Sequence, residues 1–390
     1  MYSLTLMKLS NRIFSMKIFF LTFLLILTLL FSGCEKESDK IVIGFFGALT
    51  GTEATFGVSS RNGITLALEE LNSEGGLLGK KVELKTYDTL GSLEETKLSV
   101  ERLIKTDDVV AVIGEVASSR SLVAAPIAQS HRIPMVTPSS TNPEITQVGD
   151  YIFRVCFIDP FQGEVMAKFA FHSLKLKKAA VLRDTQSQYS VGLANYFIKT
   201  FTSLGGTILA DENYISGDVE FQSQLLKIRK KKPEFIFVPG YYSEVAMISR
   251  QSKDLGFTGP LMGGDGWDDL KNLSAIAGDS INGSYFSNHY TLENPDPEVQ
   301  KFITVFEKRF GVKPDSQAAL GYDAARIIFD AIRRAKSIEN QKIRDALSET
   351  KDFKGITGTI SINQNRDAVK PAVVLQVKKN NFSFVETVGP

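Results

Sequence analysis

Short apolar runs alternate with stretches of helical periodicity along most of this 390-residue chain. Ile41–Phe46 and Val109–Ile113 are typical of buried strands, whereas apolar residues recur at helical spacing in Gly63–Leu71 and in Leu122–Ala128. Neighbouring strands that are separated by single helices need crossover connections, which form right-handed βαβ units. The alternation therefore predicts an α/β fold with doubly wound, mostly parallel sheets.

The same pattern restarts after residue 156, so we expect two Rossmann-like lobes of similar size. A helix-rich stretch at Glu298–Leu347 and a strand-rich tail from Gly358 onward complete them. Ligands of such sheets bind beyond the carboxyl ends of the strands, which predicts a site in the cleft between the lobes. The predicted division is lobe 1 at 41–157 and 288–364, lobe 2 at 158–287 and 365–390, with three crossovers near 156–158, 286–289 and 363–368.

The N-terminal stretch has the features of an export signal. Lys17 precedes an almost continuous apolar run at Phe19–Phe31, and Cys34 is followed at once by polar residues. The run is too short to span a bilayer comfortably. Small residues before a cysteine resemble the lipobox of bacterial lipoproteins, although Phe31 stands where leucine is usual. We predict a signal peptide at 1–33 and a lipidated linker at 34–40, with translation starting at Met1 or Met16; a plain signal peptide and an uncleaved anchor helix are the alternatives.

Composition excludes several classes of partner. A formal net charge of +1 gives no reason to expect nucleic acid or an anionic membrane surface. If Cys34 carries lipid, Cys156 has no disulfide partner. The three histidines, His131, His172 and His289, lack metal-site spacing, so we expect no metal.

No sequence motif supports catalysis or a cofactor. The segment Gly75–Lys80 has one residue too few between its glycines for a phosphate-binding loop and follows a helix, so it predicts a helix-ending turn. Neither a dinucleotide fingerprint nor a nucleophile elbow is present. We therefore expect a protein that is not an enzyme and holds no cofactor.

Two hydroxyl-rich segments follow successive predicted strands. Ser118 lies in the segment after Val109–Ile113, and Ser139 and Thr141 lie in the segment after the next strand. Hydroxyls and unpaired backbone N–H groups at the carboxyl ends of strands form a ready-made carboxylate site. Helix capping by Ser and Thr is the alternative for either segment alone, but their occurrence on successive strands favours an anion site.

An acidic residue follows a later strand. Asp265 comes after Leu261-Met262 and two glycines, which let backbone and carboxylate approach a ligand closely. A charge-assisted bond to a desolvated ammonium would contribute about 1.5–3 kcal/mol. The alternative is that Asp265 caps the segment that starts at Trp267. If that tryptophan lines the cleft, ligand closure should change its fluorescence.

Several segments in order resemble the branched-chain amino-acid-binding proteins, which are type I periplasmic binding proteins of ATP-driven importers. The resemblance covers nearly all of the chain after the signal. It rests on residues 45–51, 72–79 and 84–88, the two hydroxyl-rich segments, residues 184–192, 239–241 and 263–265. The disulfide of the family's first lobe is missing, because Ala117 and the region of Gly91-Ser92 carry no cysteine.

The resemblance implies a role for each candidate residue. Ser118 and Thr141 would hold the α-carboxylate of an amino acid. The carbonyl of Ser139 and the side chain of Asp265 would hold its α-ammonium. Tyr189 and Tyr241 would reach in from the second lobe, although both could equally be surface aromatics, and Phe56 would pack against the apolar part of the ligand.

The expected function is that of an exported, lipid-anchored, monomeric solute-binding protein. It would bind a branched-chain amino acid or a similar small zwitterion or amide and present it to an inner-membrane ABC permease, in the periplasm or at the cell surface. A ligand sensor of the same fold is the alternative. The ligand's side chain stays open at this point.

Overall fold

Two sheets organise the part of the chain that the computed structural model describes, residues 40–379 and 381–390. The predicted signal peptide and Cys34 lie outside those residues. Within them, no helix is both long and apolar enough to cross a bilayer.

The first sheet has five parallel strands in the order β2-β1-β3-β4-β5. Its strands are β1 (Lys40–Gly47), β2 (Lys81–Asp88), β3 (Ala111–Ile113), β4 (Met135–Thr137) and β5 (Ile152–Arg154). Helices pack on both of its faces, as expected for a doubly wound sheet. The helices of this first lobe are α1 (Ala54–Ser73), α2 (Leu93–Lys105), α3 (Ser118–Ser130), α4 (Glu144–Gln147), α10 (Pro297–Phe310), α11 (Ser316–Ala335) and α12 (Asn340–Ser348).

The second sheet has seven strands in the order β15-β14-β10-β9-β8-β6-β7, parallel except for the pairs made by β14. Its strands are β6 (Lys178–Asp184), β7 (Thr207–Tyr214), β8 (Phe235–Phe237), β9 (Leu261–Gly263), β10 (Tyr285–Asn288), β14 (Ala372–Lys378) and β15 (Asn381–Val388). The helices of this second lobe are α5 (Asp159–Lys168), α6 (Gln188–Ser203), α7 (Gln222–Lys231), α8 (Tyr242–Asp254) and α9 (Leu270–Ala277). The predicted α/β fold of two lobes is therefore confirmed.

The second predicted crossover is narrowed to the end of its range, and the third is placed a few residues too early. Residues 286–288 belong to β10, so the second passage between the lobes begins only at His289. Ala368–Val369, as β13, still pair with β12 (Gly358–Ile362), which also pairs with β11 (Phe353–Gly355). The third passage is therefore at Lys370-Pro371 instead of 363–368. Strands β10 and β13 are too short to be recognised from their periodicity.

The core of the first lobe depends on close contact between α1 and α11. A Cβ atom on Gly63 would stand 1.9 Å from the carbonyl oxygen of Ala318, and one on Gly321 would stand 2.3 Å from that of Ser60. Only glycine at both positions lets the two helix backbones approach so closely. This contact fixes the N-terminal ends of α1 and α11, which carry residues of the ligand cavity.

We expect Gly63→Ala to lower the free energy of unfolding by about 1–3 kcal/mol or more, because the new methyl group meets a backbone carbonyl that cannot rotate away. In an open helix the same change would stabilise by about 1 kcal/mol. Chemical denaturation measures the difference. Gly389→Ala is the control, since nothing lies within 4 Å of a Cβ atom there; a Gly63→Ala variant as stable as this control would contradict the packing argument.

Candidate functional site

Ser118 is the first residue of α3, beyond the carboxyl end of β3. Its Oγ accepts a hydrogen bond from the backbone N–H of Asn142 at 3.2 Å. The N-cap position of α3 is Ala117, and no side chain caps the helix. Ser118 is therefore not a helix cap, and its hydroxyl can still donate its own hydrogen at a helix N-terminus, where anions are favoured.

A buried arginine holds the loop that carries Ser139 and Thr141. Arg154, at the end of β5, donates through Nη1 to the carbonyl of Ser140 at 2.6 Å and through Nη2 to that of Asn142 at 2.8 Å. Its Nε faces Asp367 Oδ1 at 2.7 Å. Because these two carbonyls are fixed, the peptide groups between them keep one orientation.

Glu115 joins the ends of three strands of the first sheet. Its carboxylate accepts hydrogen bonds from the backbone N–H groups of Ala48 and Ala117 and from the hydroxyl of Thr89, while Arg120 Nε lies at 2.8 Å. Arg120 also pairs with Glu53, at 2.6 Å, and burial raises the pKa of that carboxyl. The buried charges of this cluster are therefore paired within the first lobe.

Asp265 lies in a short 3₁₀ turn, Asp265–Trp267, after β9. Its backbone N–H donates to Gln162 Oε1 at 2.9 Å, and its Oδ2 lies 3.0 Å from His289 Nε2. The turn has no side-chain cap, so the capping alternative for Asp265 is wrong. Its Oδ1 is buried and has no hydrogen-bond partner among the described residues.

His289 was not predicted as a site residue. Its ring stacks on Phe157 with centroids 3.6 Å apart, and burial lowers its pKa to about 4 although Asp265 opposes the shift. The ring is therefore neutral at pH 7, and an Nε2–H tautomer donates to Asp265. No local pattern marks this residue, because its partners lie 24 and 132 positions away in the sequence.

Tyr189 and Tyr241 stack on each other, with centroids 5.4 Å apart and planes 17° apart. The hydroxyl of Tyr189 accepts a hydrogen bond from the backbone N–H of Gly266 at 3.1 Å. Phe56, from the first lobe, meets Tyr241 edge-on at 6.0 Å. These rings belong to one buried contact between the lobes, which contradicts the alternative that the tyrosines are surface aromatics.

Six of the seven predicted ligand-binding residues line one small cavity of about 10 Å³. They are Phe56, Ser118, Ser139, Tyr189, Tyr241 and Asp265, joined by Val116, Gly266 and Gln317. Thr141 does not line it; this side chain is buried, and its Oγ1 has no hydrogen-bond partner among the described residues. The structure thus brings both predicted polar ends of the site together.

Trp267 does not line the cavity. Its indole is fully buried, donates from Nε1 to the carbonyl of Val238 at 3.0 Å and stacks near Phe286. The expectation that it borders the cleft is wrong.

The lobes touch around the cavity. Tyr242 Oη donates to the carbonyl of Thr52 at 2.6 Å, and the backbone N–H of Gln188 donates to Ser119 Oγ at 3.1 Å. On another side, the backbone N–H of Ser316 donates to Asp268 Oδ2 at 2.7 Å. These contacts close the space around the lining residues.

A larger groove of about 950 Å³ also runs between the lobes, bordered by α1, α9 and the segments 288–292 and 312–315. It contains none of the seven predicted residues. Three acidic residues border it, but each accepts hydrogen bonds from neighbouring protein groups: Asp268, Asp269 and Asp315. The small cavity is the better candidate, because its unpartnered Asp265 Oδ1 can accept a hydrogen bond from a ligand.

The model of the periplasmic binding protein family matches residues 40–381. The chain belongs to this family. The likeness to branched-chain amino-acid-binding proteins expected from the sequence is confirmed, since a Pseudomonas aeruginosa protein named for binding leucine, isoleucine, valine, threonine and alanine is 30% identical over 338 residues, 86% of this chain and 89% of that one.

Solved structures agree on the fold. A leucine-binding protein LivK from Thermotoga maritima superposes with a TM-score of 0.85 at 41% identity, covering 90% of this chain and 99% of that one. The substrate-binding protein LivJ from Streptococcus pneumoniae, solved with isoleucine, also has a TM-score of 0.85, at 30% identity over 90% of this chain and all of that one. This chain is thus a family member with the type I two-lobed architecture.

We expect acid to destabilise the protein partly through His289. In the unfolded chain this residue takes up a proton near pH 6.5, whereas the buried ring does so only near pH 4. Its contribution to the free energy of unfolding is therefore complete above pH 6.5 and falls, by on the order of 3 kcal/mol, as the pH drops to 4. Denaturation of the wild type and of His289→Gln at pH 7.5 and 4.5 measures it.

The loss between these pH values should be smaller in His289→Gln, which keeps a donor for Asp265 but cannot take up a proton. His131→Gln is the control, because that histidine is exposed on the surface. Equal pH dependence in all three proteins would contradict the assignment.

Proposed function

We propose that this protein is the extracytoplasmic solute-binding component of an amino-acid ABC importer. The observation that carries the proposal is the small cavity between the lobes, which Ser118 and Asp265 both line and where one carboxylate oxygen of Asp265 is buried without a protein partner among the described residues. A free α-amino acid has one negative and one positive group on neighbouring atoms. The cavity offers a complementary group for each.

The carboxylate end of the ligand lies in the first lobe. Ser118 donates its hydroxyl hydrogen, and the N-terminus of α3 adds backbone N–H groups and a favourable dipole. Thr141 is buried in the loop after β4, where its hydroxyl faces Asp159, so it supports that loop.

The ammonium end lies against Asp265 and the carbonyl of Ser139. Asp265 cannot turn away, because His289 and Gln162 hold its Oδ2 and its backbone N–H. The nearby Asp159 is fully buried, and burial raises its pKa to about 8, so it is protonated at pH 7 and competes little for the ligand's charge. Asp265 thereby becomes the main counter-ion.

Binding of the ligand favours the closed form, and the closed form is what a permease would recognise. A ligand that touches both lobes stabilises closure by its differential affinity for that state, and no covalent step is needed. One relative is named for binding leucine, isoleucine, valine, threonine and alanine, which supports a small amino acid here. A matching solved structure is the substrate-binding protein of a branched-chain amino acid transporter, so we favour import over sensing.

We expect Asp265→Asn to weaken amino-acid binding by well over tenfold. The substitution keeps the shape and the contact with His289 but removes the charge that pairs with the ligand's ammonium, leaving that cation buried without a counter-ion. Isothermal calorimetry with leucine, valine, threonine and alanine measures the loss. Asp254→Asn, an exposed position at the end of α8, is the matched control; equal affinity in the two variants would refute the role.

We propose further that Cys34 carries lipid and anchors the protein as a monomer to a bacterial membrane. The apolar run and the polar break after Cys34 support this in the sequence. The wild type expressed in its full length should fractionate with membranes, and Cys34→Ser should move to the soluble fraction. Cys156→Ser is the control, since that thiol is buried. A Cys34→Ser protein that stays with the membranes would point to an uncleaved anchor helix.

A further inference from the structure

We propose that Gln317 selects the ligand's side chain, and that the cavity prefers a small hydroxyl-bearing amino acid, threonine, over valine, its isostere. This inference rests on the proposed function and names the substrate class of the same site.

Gln317 is the second residue of α11 and lines the cavity although no sequence pattern predicted it. Its side chain is 99% buried, and its Oε1 has no hydrogen-bond partner among the described residues. The backbone that carries it is fixed, because Ala318 packs directly against Gly63 of α1. Because the residue is this deeply buried, its amide oxygen is kept away from bulk water.

Gln317 belongs to the wall that faces the ligand's side chain. Ser60 on α1 packs against Gly321 on α11, and Phe56 lies one turn before Ser60, so Phe56 and Gln317 reach the cavity from the same pair of helices. The groups assigned to the zwitterion, Ser118, Ser139 and Asp265, come instead from the segments that follow β3, β4 and β9. The zwitterion and the side chain of the ligand thus meet different elements of the fold.

The remainder of that wall is largely apolar. Phe56, Val116 and the ring of Tyr241 provide carbon surface, which suits a methyl group. Threonine carries one methyl and one hydroxyl on Cβ, whereas valine carries two methyls. The methyl can rest on the apolar surface while the hydroxyl meets the amide of Gln317.

A hydroxyl fits this amide in either of its orientations. It donates to Oε1, and if the amide group is turned it accepts from Nε2. Valine has neither a donor nor an acceptor on its side chain, so it leaves the buried amide unpaired. Sites built to hydrogen-bond a substrate discriminate strongly against analogues that lack the polar group. We therefore expect the wild type to bind threonine about tenfold or more tightly than valine.

The test compares two isosteric ligands on three variants by calorimetry. Gln317→Met keeps the length of the side chain and removes its polar end. The preference for threonine over valine should therefore fall at least tenfold or reverse. The affinity for valine should be at least as high as in the wild type. Gln317→Glu retains acceptor oxygens and should keep the preference. Gln341→Leu is the matched control, because Gln341 is likewise the second residue of its helix but is exposed. Circular dichroism and melting temperature verify that each variant is folded.

Each outcome of this experiment either supports or overturns the inference about Gln317. An equal loss of threonine and valine affinity in Gln317→Met would show that this residue holds the common zwitterion and would overturn the inference while the proposed function stands. An unchanged preference would overturn it as well. A wild type that binds no amino acid at all would refute the proposed function itself, and Asp265→Asn would then show no further loss.

Discussion

The ligand cavity depends on a carboxylate oxygen that is buried without a partner. Removing such a group from water carries a large desolvation cost unless a cation or donor compensates it. Asp265 cannot relieve this by rotating, because His289 engages its other oxygen and Gln162 holds its backbone N–H. Gly266 allows the loop to sit this deep, since a Cβ atom there would stand 2.7 Å from the carbonyl of Gly240. A cationic group of the ligand would compensate this cost. Its binding would therefore stabilise the closed form.

The protonation states of His289 and Asp159 leave the ligand's ammonium as the group that compensates the charge of Asp265. A charged His289 would pair with Asp265 and compete with the incoming ammonium, but burial keeps the ring neutral down to a pKa of about 4. An ionised Asp159 would draw the cation elsewhere, yet burial raises its pKa to about 8. Desolvation thus removes charge from both neighbours, in opposite directions for a base and an acid.

The residues that sequence reasoning found share a local signature, and those it missed do not. Polar side chains at the carboxyl ends of parallel strands converge on one edge of a sheet, which is why Ser118 and Ser139 could be predicted together, while Asp265 follows β9 of the second sheet at the carboxyl end of that strand. His289, Gln317 and Arg154 come from a hinge, a helix N-terminus and a strand end, where no local sequence pattern marks them. Only the assembled packing of the lobes brings them to the site.

The error at Trp267 has a simple geometric cause. A 3₁₀ turn has three residues per turn, so two residues after Asp265 the side chain has rotated by about 240° and enters the core of the second lobe. The error at the third crossover arose because the two-residue strand β13 has no readable period. Local sequence patterns predicted the fold well, but they could not predict in which direction an individual side chain points.

Helix α11 links the wall of the cavity to the contact between the lobes. Its N-terminus receives Asp315 as its own cap and Asp268 from the second lobe, both bonded to its backbone N–H groups. Two carboxylates at one helix end repel each other even though the helix dipole favours each. Burial, and then the charge of Asp268, raises the pKa of Asp315 to about 7, which favours its neutral form near neutral pH and so reduces the repulsion. Because Gln317 follows two residues after Asp315, the same helix turn that joins the lobes also fixes the amide that faces the ligand.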